Sequence, residues 1–289
     1  MFPEIVDTRP LRRAVDDGLN WVVRHWGDGF EAAARPLLIL LNAIEGLLVA
    51  TPWWLIIAIL VGGAWLATRN WRLPAIVLVA MLFLGIMSLW RDAMTTMALM
   101  ISATLTAIVL AIPVGVWMSR SLKVRQIFTP VLDLMQTLPS FVYLIPTVMI
   151  FGPGKIPALI ATIVYAAPPL VRLTDLGLRS VDPAVMEASR AFGTSARQRL
   201  FGVQIPLALP TILAGINQTT MMALAMVVIA SMIGAGGLGY QVLQGIGRLE
   251  VSRGLFAGLG IVVLAIVFDR ITQAFGKQLQ SRIGLQEAR

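Results

Sequence analysis

Apolar residues in this 289-residue chain are gathered into blocks long enough to cross a membrane. A helix crossing about 30 Å of hydrocarbon needs roughly 17 to 25 residues. Seven blocks are legible: Trp53–Ala67, Pro74–Leu89, Thr96–Met118, Pro130–Phe151, Ile156–Val171, Pro210–Ile233 and Leu255–Ile271. The first two are short and must borrow length from their flanks. In lipid every backbone polar group needs an internal partner, which leaves the helix as the spanning element for blocks of this kind. The expected fold class is therefore all-α, a polytopic membrane protein of about seven transmembrane helices.

Composition narrows the function. Apolar residues make up 57% and charged residues only 13%, far from a soluble average. Cysteine is absent and His25 is the one histidine. No thiolate chemistry, metal cluster or cofactor site is expected. The formal charge of +8 does not point to nucleic acid, because the cations stand singly between apolar spans instead of forming one basic face. At the N-terminus Glu4, Asp7, Asp16, Asp17, Asp28 and Glu31 nearly balance Arg9, Arg12, Arg13, Arg24 and Arg35. No apolar run precedes Pro36, so a cleavable signal peptide is not expected.

Seven spans put the termini on opposite sides, and Lys and Arg collect in cytoplasmic loops. With the C-terminus inside, the inner loops hold Arg69 and Arg72; Arg120, Lys123 and Arg125; Arg172, Arg179, Arg190, Arg197 and Arg199; and Arg270, Lys277, Arg282 and Arg289. The outer loops keep only Arg91, Lys155, Arg248 and Arg253. The expectation is a bacterial inner-membrane protein with its N-terminus outside and C-terminus cytoplasmic. Trp53, Trp54 and Trp90 then mark the outer interface and Trp71 and Trp117 the inner one. Pro36–Ala50 is apolar but short and contains Asn42 and Glu45; it is read as an interfacial helix in preference to a re-entrant or spanning one.

The longest inner loop, roughly Arg172–Ile205, carries its own helix signals. Asp182 before Pro183 is an N-cap followed by a first-turn proline. Val185, Ala188 and Phe192 recur at i, i+3 and i+7 as one apolar face, with Glu187 and Arg190 off it. Gly193 stands where a left-handed C-terminal cap is wanted, and Ser195 with Gln198 forms a capping box for a second short helix. Pro206 and Pro210 fall at the start of the next span.

These residues also carry a resemblance. Glu187-Ala188-Ser189, three residues, Gly193, nine residues, then Val203-Gln204-Ile205-Pro206 is similar to the EAA loop of ABC importer permeases. Ser189 replaces an alanine, and Val203 and Ile205 replace isoleucine and leucine. The wider segment Arg190–Asp269 resembles the glycine betaine/proline betaine permeases of the ProW type, the likeness running over about Leu99–Phe275. The resemblance implies a type I ABC importer permease fold with a cytoplasmic coupling-helix loop. It also implies a homodimer in the lipid membrane, two cytosolic ATPase subunits, and an extracytoplasmic substrate-binding protein. Glu187, Ala188, Ser189, Phe192, Gly193, Val203, Ile205 and Pro206 are then the ATPase-coupling residues, and no catalytic residue is expected in this chain.

Other motifs are set aside. Gly234-Ala-Gly236-Gly237-Leu-Gly239 satisfies G-x-G-x-x-G, but a dinucleotide site needs a strand before it, and here an apolar span precedes it. A turn between spans is expected. Gly154-Lys155 and Gly276-Lys277 are not followed by Ser or Thr, so no Walker A loop exists. Gly254-x-x-x-Gly258 is expected to pack within the chain, and Met221, Met222 and Met226 to fill core.

Polar residues inside spans either bond helix to helix or face a water-filled path. Gln136, Thr137, Ser140 and Tyr143 interrupt the fourth block beside Pro139 and Pro146; Asn217, Gln218, Thr219 and Thr220 interrupt the sixth. Thr137, Ser140, Phe141, Tyr143, Asn217 and Gln218 are the translocation-path candidates, with Phe141 and Tyr143 able to offer aromatic faces to a quaternary amine. No acidic residue stands in the middle of these two spans. The expected divisions are 1–50, an extracytoplasmic tail with an interfacial helix; 51–95, two peripheral spans; 96–276, the core permease; and 277–289, a cytoplasmic tail. A permease for another small solute such as choline or methionine, and a stand-alone secondary transporter, are the rivals. The second would show an inverted repeat and intramembrane ionisable groups.

Overall fold

The computed structural model describes residues 9–282, and the described chain is built from helices. In chain order these are α1 (Arg9–Ala50), α2 (Trp53–Thr68), α3 (Arg72–Ile86), α4 (Trp90–Arg120), α5 (Leu122–Thr137), α6 (Ser140–Phe151), α7 (Lys155–Arg179), α8 (Pro183–Ala191), α9 (Ala196–Arg199), α10 (Ile205–Ala230), α11 (Leu238–Gly247) and α12 (Val251–Arg282). Two π-helical turns, Leu200–Gln204 and Ser231–Ala235, flank α10. Glu4, Asp7 and Arg289 lie outside the described residues. The expected tail 277–289 starts inside α12, and its remainder beyond Arg282 is likewise outside them.

Most predicted apolar blocks fall within a helix or a helix pair; Pro74–Leu89 overruns α3, which ends at Ile86, and Pro210–Ile233 runs past α10 into the kinked turn Ser231–Ala235. By length and composition five described helical runs can cross a membrane: Arg13–Ala50, Trp90–Arg120, Lys155–Arg179, Ala196–Ala235 and Val251–Gln278. The block Pro130–Phe151 is not one rod. It is α5 and α6 meeting at 96° across Leu138-Pro139, and as one broken span it makes a sixth crossing. Leu138 is extended (ψ 134°), as a residue before proline prefers to be, and this ends α5. At 16 and 15 residues α2 and α3 remain short, about 24 Å at 1.5 Å per residue.

One expectation is corrected. Pro36–Ala50 is not a separate short helix; it is the apolar half of the 42-residue α1. Leu41 is fully buried in a core with Ala98, Leu99 and Leu144, and Leu37, Ile44 and Leu48 pack against that core. The polar residue that argued against insertion has partners. Glu45 accepts from Thr95 Oγ1 at 3.1 Å and pairs with Lys155 Nζ at 2.5 Å, joining α1 to the starts of α4 and α7. A paired charge is far less costly to bury than a bare one.

The bundle centres on α7, buried along most of its length and packed against α4 and α10. Close approach depends on small residues. A Cβ on Gly115 of α4 would lie 2.6 Å from Thr174 Cβ and 2.8 Å from the Val171 carbonyl, both on α7. The α2–α3 hairpin packs on the flank of α12 around Val77, Met81, Leu84 and Leu264.

Candidate coupling loop and translocation path

The end of the bundle opposite Lys155 carries the loop that the sequence singles out. Asp182 Oδ1 accepts from Ala184 N–H at 2.8 Å and Pro183 opens α8, as the N-cap reading requires. The helix stops at Gly193, whose φ of 71° lies in the left-handed region. Gly193 N–H donates to Arg190 O at 2.9 Å, and Thr194 closes on Ser189 O through both its N–H (3.3 Å) and its hydroxyl (2.7 Å). Ser195 and Gln198 make the reciprocal capping box, with Ser195 N–H to Gln198 Oε1 at 2.9 Å and Gln198 N–H to Ser195 Oγ at 3.3 Å.

These bonds fix which way α8 faces. Ser189 is buried, its hydroxyl donating to Met186 O. Val185 and Ala188 are exposed, and Phe192 is 88% exposed. Glu187 is exposed as well. The apolar face thus points away from the bundle, free to bury against something else.

The second half of the loop is anchored. Leu200 is buried with Met118, Leu132, Leu178, Ala208 and Ile212, and Arg120 Nη2 donates to Ala196 O at 3.4 Å. Val203 lies in the π turn, and Ile205 and Pro206 open α10. Pro206 has no N–H to give its own helix, and the turn widens just before it, Ile205 N–H donating to Leu200 O. Helix therefore continues without a gap from Ala196 through the π turn to Ala230, and breaks at Ile233 and Gly234. The sequence suggested a separate short helix and then a span.

The path candidates divide into two groups. Thr137 ends α5 with its hydroxyl on Leu134 O, Ser140 begins α6, and Phe141 is exposed beside it. Tyr143 O–H donates to Met135 O across the break and meets Tyr165 of α7 edge-on, ring centroids 6.4 Å apart. Tyr165 escaped sequence reasoning; a hydroxyl in mid-block was the signal available. On α10, Asn217 turns toward α12, accepting from Thr272 Oγ1, and lines a cavity with Leu66, Arg69 and Phe275, away from the α5–α6 break. Gln218 is exposed, whereas Thr219 is buried and bonded to Ala166 O at 2.9 Å. Thr219 thus bonds helix to helix. Acidic residues do occur in this region: Asp133 of α5 pairs with Arg172 of α7, and buried Asp175 takes both Nε and Nη2 of Arg179 at 2.9 Å.

At the Lys155 end, the glycine-rich motif is a turn after a helix, with Gly234, Gly236 and Gly237 at positive φ. Leu238 N–H donates to Thr96 Oγ1 at 2.9 Å, so the turn is tied to α4. Gly254 packs within the chain, its backbone N 2.5 Å from where a Cβ on Gly245 would be; Gly258 has open space.

The bundle is thus built around a buried central helix, with a short exposed helix on one end. Residues 107–281 match the family model for the binding-protein-dependent transport system inner membrane component, and the chain belongs to that family as a multi-pass inner-membrane protein. It is 46% identical over 278 residues to the glycine betaine/proline betaine transport system permease protein ProW of Escherichia coli (strain K12), covering 94% of this chain and 77% of that one. It is 44% identical over 253 residues to the glycine betaine/carnitine transport permease protein GbuB of Listeria monocytogenes serotype 1/2a (strain 10403S), covering 84% and 90%. Its fold matches a chain of the inward-facing MetNI methionine ABC transporter with a TM-score of 0.59 at 22% identity, over 68% of this chain and 95% of that one.

The exposure of Phe192 gives a direct test of the loop. Phe192→Ala should change the stability of the purified chain by no more than about 0.5 kcal/mol, since the ring touches little of its own protein. Under the coupling role proposed below, the same substitution should lower capture of a partner subunit roughly tenfold or more, as loss of an aromatic anchor does. Thermal unfolding and partner copurification measure the two effects separately.

Proposed function

We propose that this chain is the permease subunit of an ATP-driven importer for glycine betaine or a closely related quaternary ammonium solute. It works as a homodimer by alternating access, with two cytosolic ATPase subunits and an extracytoplasmic binding protein. ATP hydrolysis belongs to the partner subunits. Residues 96–276 form the core permease, 51–95 its peripheral helices, 1–50 an N-terminal segment with an extracytoplasmic polar part and an apolar end packed on the core, and 277–289 a cytoplasmic tail.

The observation that carries the reading is the outward apolar face of α8, Val185, Ala188 and Phe192, held by a glycine cap at the end of the bundle. Ala188 and Phe192, with Glu187, Ser189, Gly193, Val203, Ile205 and Pro206, couple it to the ATPase. A short rigid helix of this kind fits a groove in a partner, and the substrate named for both relatives supports a betaine cargo. Thr137, Ser140, Phe141, Tyr143 and Gln218 line the path, joined by Tyr165; Asn217 sits at its α12 side. Aromatic faces attract a quaternary ammonium by about 0.5–2 kcal/mol without an ion pair, which suits a site that must release its cargo.

The loop end lies in the cytoplasm, where the basic residues gather, and the N-terminus lies outside. This orientation requires α1 to run along the surface in its polar first half. The chain has no cysteine, so one introduced ahead of Arg9 reports directly: labelling by an impermeant maleimide in intact cells is expected, and protection would place α1 across the bilayer with its start inside.

The decisive experiment is a pull-down from native membranes followed by uptake of labelled glycine betaine, choline and methionine. An ATPase should copurify, and uptake should depend on its hydrolysis and favour betaine. Preferred uptake of methionine or choline would replace the substrate. Uptake by the purified chain alone, without nucleotide, would replace the mechanism.

A further inference from the structure

Between the α2–α3 hairpin and the last turns of α12 lies a cavity of about 860 Å³ whose wall holds Arg69, Arg72, Arg270 and Lys277. Among the described residues no acidic one lines it. All four cations are exposed, and none takes part in the ion pairs found among the described residues. Arg69 is fixed by its backbone: it caps α2 at φ 54°, and its guanidinium lies 5.4 Å from the centre of the Trp65 ring. Four like charges facing one space repel, so an anion between them lowers their energy.

The shape selects which anion. One turn along α3 from Arg72 is Ile76, and one turn along α12 from Arg270 is Ile266; both line the same cavity and are exposed. The cavity is therefore cationic at one end and apolar along the helices leading away from it. Trp71, 72% exposed beside the cationic end, is the residue type that sits at headgroup depth. A soluble phosphate would use only the cations, whereas a phospholipid uses both parts, its acyl chains lying on the isoleucines and its phosphate among the arginines.

We propose that this cavity binds the headgroup of an anionic phospholipid, one per chain, anchoring the peripheral hairpin to α12. The proposal does not depend on the identity of the transported solute. It is tested on the full-length chain purified with its partner subunits in a neutral detergent, by native mass spectrometry and thermal unfolding. Phosphatidylglycerol, phosphatidylcholine and inorganic phosphate are added separately. Phosphatidylglycerol should be retained and should raise the unfolding temperature, while the other two do neither. Arg72→Gln/Arg270→Gln should weaken retention roughly thirtyfold, about fivefold for each cation removed. Arg69→Gln/Lys277→Gln, a second pair of exposed positions, should do the same. Equal retention of phosphatidylcholine would overturn the anionic requirement, and equal stabilisation by phosphate would make the site one for a free anion. Undiminished phosphatidylglycerol binding in both double variants would place the lipid elsewhere.

Discussion

Gly193→Val is expected to abolish solute uptake while the chain still inserts in the membrane. A Cβ at this position would meet nothing within 4 Å, so the obstacle is not space. It is the backbone, at φ 71°, where an L-residue costs roughly 1–2 kcal/mol and a β-branched one more. Valine shifts the residue back toward negative φ, which breaks the paired bonds of Gly193 and Thr194 to Arg190 and Ser189 and swings α8 relative to α9. A 1.4 kcal/mol penalty on docking is about tenfold in partner affinity. Gly193→Asn should keep most of the activity, because asparagine tolerates left-handed backbone. The check is the stoichiometry of copurified ATPase together with uptake in the same cells. Valine protein that captures ATPase at the wild-type ratio would remove α8 from the coupling machinery.

Gly115→Leu should damage the fold itself. Its first added carbon already falls 2.6 Å from Thr174 Cβ and 2.8 Å from the backbone oxygen of Val171, on the most buried helix of the bundle. A backbone oxygen cannot move aside, so α4 and α7 must separate. Overpacking of this kind costs about 3 kcal/mol, which corresponds to a fall of roughly 5 °C or more in unfolding temperature. Gly62 on α2 has open space at the same distance and serves as the control: Gly62→Leu should unfold close to wild type. Fluorescence-detected chromatography over a temperature ramp reads both. An unaltered melting curve for Gly115→Leu would mean that the α4–α7 contact is looser than this geometry.

What the sequence made legible was local. Apolar length located α4, α7, α10 and α12, and the caps at Asp182, Gly193 and Ser195 predicted the loop helices with their partners, because each depends on neighbours within a few residues. What it hid was pairing across the fold. Asn42 and Glu45 argued for a helix lying on the surface, yet the partner of Glu45 is Lys155, 110 residues away. Arg172 reads as an inner-loop cation, and only the fold sets Asp133 of α5 beside it. Pro139 and Pro146 stand beside Ser140 in the sequence, but a bend of 96° depends on what α5 and α6 pack against. Asn217 and Gln218 are adjacent in sequence and about 100° apart around the helix, so one meets Thr272 while the other is exposed.

The unbroken run from Ala196 to Ala230 has a mechanical corollary. Segments of 4, 5 and 26 residues at about 1.5 Å each make a shaft about 50 Å long, whose foot is the capping box and whose head leads into the glycine turn bonded to Thr96. Under the proposed coupling, a shove at the foot reaches the Lys155 end of the bundle as tilt, passing through the wide turn at Leu200–Gln204 on the way.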